Sequence, residues 1–291
     1  MLAYAALITG VGLGSMYGLL ALGFHVTYAV SNTVNFAQGS TMMLGAIVCF
    51  TFWVTLGWPL VLAIPIALLL CAAWSVVVER LAVRPFVRTN SNSWLMATVA
   101  LGIVLENVVL FTFGKDPRGF PAGVLTTTYV PVGGIKVQAL QLLIPMLGLA
   151  LAAGIHQFFQ RTRYGKALLA VVQNRDAARL MGIDIDRVVT ASFALSGFLA
   201  GVAGILVAPL FTISSTMGTL FGIKAFAVAI LGGISNAWGV VLAGLIYGVV
   251  EALITSMLGS TYTQIVTFAL VIVALVVRPS GLFGRAEVKK V

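Results

Sequence analysis

The chain has 291 residues, 60% of them hydrophobic and only 9% charged, with a mean hydropathy of +1.08 and a formal net charge of +9. That composition excludes an ordinary soluble domain and a disordered one. Backbone groups in lipid must be satisfied internally, and long, uniformly apolar runs do this as helices rather than as the alternating segments of a barrel.

Apolar runs near bilayer length predict membrane segments around residues 5–30, 40–57, 60–78, 94–114, 141–160, 188–212, 223–256 (broken) and 264–278. The expectation is an all-α, polytopic transmembrane helical bundle of about eight segments, one domain over 1–291, with broken or re-entrant helices. The first run lacks a basic leader and reads as a retained span rather than a cleaved signal. It carries a small-residue stripe, Gly10, Gly12, Gly14 and Gly18, suited to close helix contact, and one ionisable residue, His25.

Ser31 to Ser40 then interrupts the apolar pattern with Asn32, Thr33, Asn35 and Gln38. Such a stretch reads either as an interfacial turn or as a broken helix whose freed backbone lines a cavity. Cys49 and Cys71 fall inside apolar runs and read as buried hydrophobes. In the fourth run of the chain, after the basic stretch 79–93, Glu106-Asn107 is bracketed by bulky aliphatics. Glu106 is either protonated and hydrogen-bonded to a neighbouring helix, or it polarises a solute path or binds an ammonium group. Residues 115–140, with Asp116, Pro117, Gly119, Pro121, Gly133 and Gly134, form a long outer loop.

Between Arg161 and Arg187 lie nine of the 25 charged side chains, six basic and three acidic. A plain tether would favour Gly, Ser and Pro. This stretch instead predicts two short helices with a stop between them. Asn174 caps the second, Asp176 sits near its positive end, Gly182 ends it, and Asp184 caps the long helix that follows. Leu180 and Met181 are left as an apolar knob on a polar element, the form of a docking helix.

Gly197, Gly201 and Gly204 form a second small-residue stripe. Residues 223–232 are too short to cross (about 15 Å against a core of about 30 Å). The element therefore extends back through Met217 or re-enters as a half-helix, the preferred reading. Lys224 is expected to snorkel near the outer interface, Glu251 to lie near a helix end, and His156 near the inner interface. A second break, Gly232 to Gly239, contains Ser235 and Asn236, again a Ser-Asn pair beside an aromatic residue and glycine; it reads as a Gly-rich helix contact or as the counterpart of the first break in a repeated half.

Segments 79–93, 161–187 and 278–291 hold 13 of the 17 Lys and Arg, so all three are expected on the cytoplasmic side. The basic balance is a topology signal and not a nucleic-acid footprint. No P-loop, metal-spaced ligand cluster or Ser/His/Asp set is present in the sequence, so neither an enzyme nor a cofactor is expected.

Seven ordered stretches carry a resemblance over nearly the whole chain. They are Tyr17–Gly23, Val34–Gly39, Glu79–Pro85, Ala177–Asp184, Gly222–Ala227, Leu231–Gly233 and Arg278–Gly284. With them the chain resembles the permease subunits of branched-chain amino acid ABC importers, and Asp176-Ala177-Ala178 with Gly182 is similar to the E-A-A-x-x-x-G loop of ABC importers. The resemblance implies a multi-pass protein of the bacterial inner membrane, embedded in lipid. Its implied partners are a second permease subunit, two cytoplasmic ATP-binding subunits and a periplasmic solute-binding protein. It implies coupling to the ATPase through Asp176, Ala177, Ala178, Leu180, Met181 and Gly182. The candidate solute path is Asn32, Asn35, Gln38, Glu106, Asn107, Ser235 and Asn236. Gln38 stands where the family usually has His, Glu106 where it often has Gln, and His25 where a small or apolar residue is expected. These departures point to a small amino acid, amide or organic acid and not only to leucine, isoleucine or valine. The rival reading is a proton- or sodium-coupled secondary carrier of a small polar solute, which leaves the 161–187 loop unexplained. A passive channel fits poorly, since no span carries a repeated polar face.

Overall fold

The computed structural model describes residues 2–89, 91–121, 128–132 and 135–284. Helix α1 (Leu2–Ser31) is followed by α2 (Gln38–Phe50), which runs into a single π turn, Thr51–Thr55. Helix α3 (Leu60–Val78) starts directly after Pro59 and continues through a second π turn, Glu79–Val83, into α4 (Arg84–Arg88). Then come α5 (Trp94–Phe113), a hairpin of β1 (Tyr129–Val132) and β2 (Ile135–Gln138), and α6 (Ala139–Arg161). Helices α7 (Arg163–Gln173) and α8 (Arg175–Leu180) precede α9 (Ile185–Val207), α10 (Met217–Gly232), α11 (Ala237–Leu258) and α12 (Ser260–Val277). Among the described residues, eight helices are long and apolar enough to cross a membrane.

The segments agree closely with the apolar runs, with three differences. Helix persists beyond the apolar run that ends at residue 78, through the basic residues to Arg88. Helix α10 begins at Met217, so it is longer than the ten residues on which the half-helix expectation rested. Its 16 residues rise about 24 Å, still short of a core of about 30 Å. The outer loop contains an antiparallel hairpin, Tyr129 pairing with Gln138, that the apolar pattern did not announce. Gly133, Gly134 and the basic residues Arg285, Lys289 and Lys290 lie outside the described residues.

The residues fall into two compact units. The first comprises residues 1–25, 122–150 and 224–291; the second comprises 26–121 and 151–223. In the first unit α1 and α11 meet through glycines. A Cβ on Gly14 would lie 2.7 Å from the Gly244 carbonyl oxygen, and one on Gly10 would lie 2.6 Å from the Val249 Cα. In the second unit α2, α3 and α9 pack on one another. The stripe on α9 makes this possible: a Cβ on Gly45 would lie 2.7 Å from the Gly201 Cα, and Gly201 accommodates the buried Cys71 side chain. Both glycine stripes are therefore helix contacts. Backbones approach this closely only where side chains are absent.

Candidate functional site

Local sequence builds the charged element between α6 and α9 as expected. The Asn174 Oδ1 accepts from the Ala177 amide at 3.0 Å and starts α8, while the Asp184 Oδ1 accepts from the Arg187 amide at 3.2 Å and starts α9. Gly182 has φ +80°, the left-handed turn that glycine takes most readily, and ends α8. Leu180 and Met181 are 88% and 82% exposed. Asp176 and Ala177 are exposed as well, whereas Ala178 is buried. The expected docking set thus divides: Ala178 seats the helix, and Asp176, Ala177, Leu180 and Met181 face outward.

The same end of the second unit contains a network not foreseen from sequence. Glu79, 1% exposed, takes the Arg84 guanidinium at 2.9 and 3.2 Å and the Thr190 hydroxyl at 3.2 Å. Arg88 reaches Asp186 at 2.6 Å. The π turn opens at Glu79 and ends one residue before Arg84, which brings the two side chains together. A cavity of about 470 Å³ beside this network is lined by Ser31, Arg84, Arg88, Arg175, Arg179 and Asp186, among others.

Of the candidate path residues, Glu106 joins a polar cluster drawn from three helices. Its Oε1 accepts from Ser40 Oγ on α2 at 3.2 Å and from Thr219 Oγ1 on α10 at 2.6 Å. Glycines bring the three helices within reach. A Cβ on Gly218 would lie 2.7 Å from the Gly39 carbonyl, and one on Gly102 would lie 3.0 Å from Ser40 Oγ. Glu106 is half-buried, and no described residue donates to its Oε2. Ser40 belonged to the polar break in the sequence; Thr219 gave no signal beyond lying near a glycine.

The other candidates make different contacts. Gln38 is fully buried and exchanges two hydrogen bonds with Ser196, at 3.0 and 2.9 Å, so it joins α2 to α9. Asn35 is fully buried and turns back onto the Ala37 amide at 3.1 Å. Asn32 is exposed. Asn107 is exposed and bonds to the Ile103 carbonyl of its own helix at 2.8 Å. In the first unit Asn236 caps α11 through the Gly239 amide at 3.2 Å and donates to the Phe283 carbonyl at 3.0 Å, while Ser235 is exposed.

The two breaks share one device. Each preceding helix ends on a residue in the left-handed region, Asn32 at φ +56° and Gly233 at φ +81°. The second break is further held by His25, whose Nδ1 lies 2.7 Å from the Ile234 carbonyl. The terminal segment Arg278–Gly284 folds onto it, with the Leu282 amide donating to the Leu231 carbonyl at 2.6 Å. Two stretches that looked like separate motifs are one contact.

Lys224 corrects an expectation. It does not snorkel: it is 8% exposed and pairs with Glu251, equally buried, at 2.5 Å, with the Tyr17 hydroxyl at 3.4 Å. A charge buried in apolar surroundings requires a partner, and these two residues, 27 apart in sequence, supply each other.

Comparison with known proteins places this architecture. A family model described as "Branched-chain amino acid transport system / permease component" matches residues 6–275. The high-affinity branched-chain amino acid transport system permease protein LivH of Escherichia coli K12 is 32% identical over 98% of this chain and 96% of its own length. BraD of Pseudomonas aeruginosa, with the same description, is 31% identical over 98% and 97%. A probable LivH from Methanocaldococcus jannaschii is 30% identical over 91% and 88%. Among solved structures, PsaBC from Streptococcus pneumoniae in complex with Fab aligns with a TM-score of 0.51 over 94% of this chain and 91% of that one. At 13% identity the likeness concerns the fold.

Proposed function

This chain belongs to the branched-chain amino acid transport permease family, and from that premise we propose that it is the membrane-spanning subunit of an ATP-driven importer for a small amino acid or a related amide or organic acid. It has no catalysis of its own. A second permease subunit forms the path with it in the bacterial inner membrane, a periplasmic binding protein delivers the solute, and two cytoplasmic ATPase subunits supply the energy. ATP binding at those remote sites shifts the permease pair between outward and inward access.

One observation carries the reading. Leu180 and Met181 stand almost fully exposed on a short helix whose two ends are both fixed by capping. A rigid apolar knob among charged residues presents a surface to a soluble partner. Asp176, Ala177, Leu180 and Met181 make the contact, and Ala178 and Gly182 hold its shape. Glu106 is the polar centre of the path, with its free Oε2 available to a cationic group of the solute.

The test is uptake into proteoliposomes that hold this chain, its permease partner and the ATPase subunits, with a panel of labelled amino acids, amides and organic acids. Accumulation that requires both internal ATP and external binding protein is expected. Replacing Leu180 and Met181 together by Asp is expected to abolish co-purification of the ATPase while leaving the permease folded. Uptake by this chain alone, driven by an imposed pH or sodium gradient, would replace the importer with a secondary carrier.

A further inference from the structure

Docking explains where force enters, and the structure also suggests where it goes. Arg175 is the first residue of α8, next to its Asn174 cap. Its Nη2 donates to the backbone carbonyl of Val30 at 2.6 Å, across 145 residues of sequence. Val30 is the penultimate residue of α1, so its carbonyl is among the last four of that helix, which have no partner within it. A guanidinium there is favoured twice, by a hydrogen bond and by the negative end of a 30-residue helix.

The bond falls beside the point where the chain turns. Ser31 folds back on Thr27 at 2.7 Å and meets Thr33 at 2.6 Å, and Asn32 takes its left-handed conformation. A non-glycine residue there sits in a sparsely populated region of the backbone map, though asparagine enters it more readily than most. Beyond the turn α2 begins at Gln38, and its Ser40 touches Glu106.

The rear of α8 is held differently. After Gly182 the chain enters α9, where Asp186 and Thr190 are tied to Arg88, Arg84 and Glu79 by several bonds. One end of the docking helix is thus attached to a multiply bonded network. The other follows directly on α7 and, among the described residues, reaches the end of α1 by one charged hydrogen bond. The cavity of about 470 Å³ lined by Ser31, Arg175, Asp176 and Arg179 gives this single tether room to shift.

We propose that Arg175 is the positioning residue that carries displacement of α8 to the C-terminal end of α1, and so to the bend at Asn32 and the α2 segment bearing Ser40. The inference rests on the importer reading above. Arg175 touches neither solute nor nucleotide in this role; it sets how much movement of the docking helix reaches the membrane.

The experiment uses the complete reconstituted transporter and compares wild type, Arg175→Met and Arg175→Lys. Three quantities are read: co-purification of the ATPase, ATP hydrolysed, and solute accumulated per ATP, with labelled leucine as first probe. Arg175→Met is expected to assemble and hydrolyse ATP but to move about tenfold less solute per ATP, within the range of ordinary coupling energies. Arg175→Lys, which keeps a charged donor for the same carbonyl, is expected to recover most of that loss. An unaltered solute-to-ATP ratio in Arg175→Met would sink the inference. So would failure of Arg175→Met to assemble, which would assign the bond to structure alone. A wild-type complex that takes up none of the panel in an ATP-dependent way would defeat the importer reading itself.

Discussion

Glu251 and Glu106 both sit on apolar helices, and the protein treats them in opposite ways. Glu251 is enclosed with Lys224 at 2.5 Å beside Tyr17. Glu106 is half-buried and held on one oxygen by two hydroxyls. The first carboxylate has its counter-charge built in. The second has only neutral donors, so its charge is not cancelled by the chain that carries it. Glu251 also has an oxygen without a hydrogen-bond partner, its Oε2, so what differs is charge and burial: Glu251 is closed in with an ammonium, and Glu106 is half-exposed among hydroxyls. The contrast separates a carboxylate paired with an ammonium inside the fold from one held only by neutral donors.

The strongest way to break the comparison is Lys224→Met. It leaves the Glu251 charge buried without its partner and is expected to cost about 3–5 kcal/mol, read as a lower midpoint of thermal aggregation in detergent. The double variant with Glu251→Leu should regain most of that loss, since replacing both members of a buried pair is far milder than removing one. Recovery would confirm that the pair is structural.

Ser40→Ala removes one of two donors to a carboxylate and is expected to cost about 1.5–3 kcal/mol by the same assay. Glu106→Gln sharpens the point, because an amide oxygen still accepts from Ser40 and Thr219. Its stability should change by no more than about 1 kcal/mol, so a change in solute preference would report the missing charge. The smallest effect belongs to the docking element. Asn174→Ala removes a cap worth about 1 kcal/mol and should accelerate amide exchange across residues 175–180 while sparing the long helices.

These features differ in how far sequence reveals them. Asn174, Gly182 and Asp184 were legible because capping is local: donor and acceptor lie within a few residues. The long helices were legible from the lengths of their apolar runs. The Lys224–Glu251 pair was not, since two isolated charges give no sign of facing each other, and each had an adequate separate explanation. Thr219 was invisible for a related reason. Only the close approach of Gly39 and Gly218 brings it to Glu106, and a glycine does not name its neighbour. The extension of α3 to Arg88 was hidden because the apolar run ends at residue 78, while Glu79 and Arg84 satisfy each other on helical backbone beyond it. Gln38 read as open because it is a polar residue in a broken stretch, and its bonds to Ser196, 158 residues away, were not legible.

The clasp between Arg278–Gly284 and the second break has a consequence for biogenesis. The Leu231 carbonyl and the Asn236 side chain receive partners from residues 282 and 283, the latter 47 positions beyond Asn236. During synthesis the Leu231 carbonyl and the Asn236 side-chain amide nitrogen therefore wait for these partners until α12 has left the ribosome and settled. The final motif acts as a latch on an element made long before it, and a nascent chain halted within α12 would still lack it.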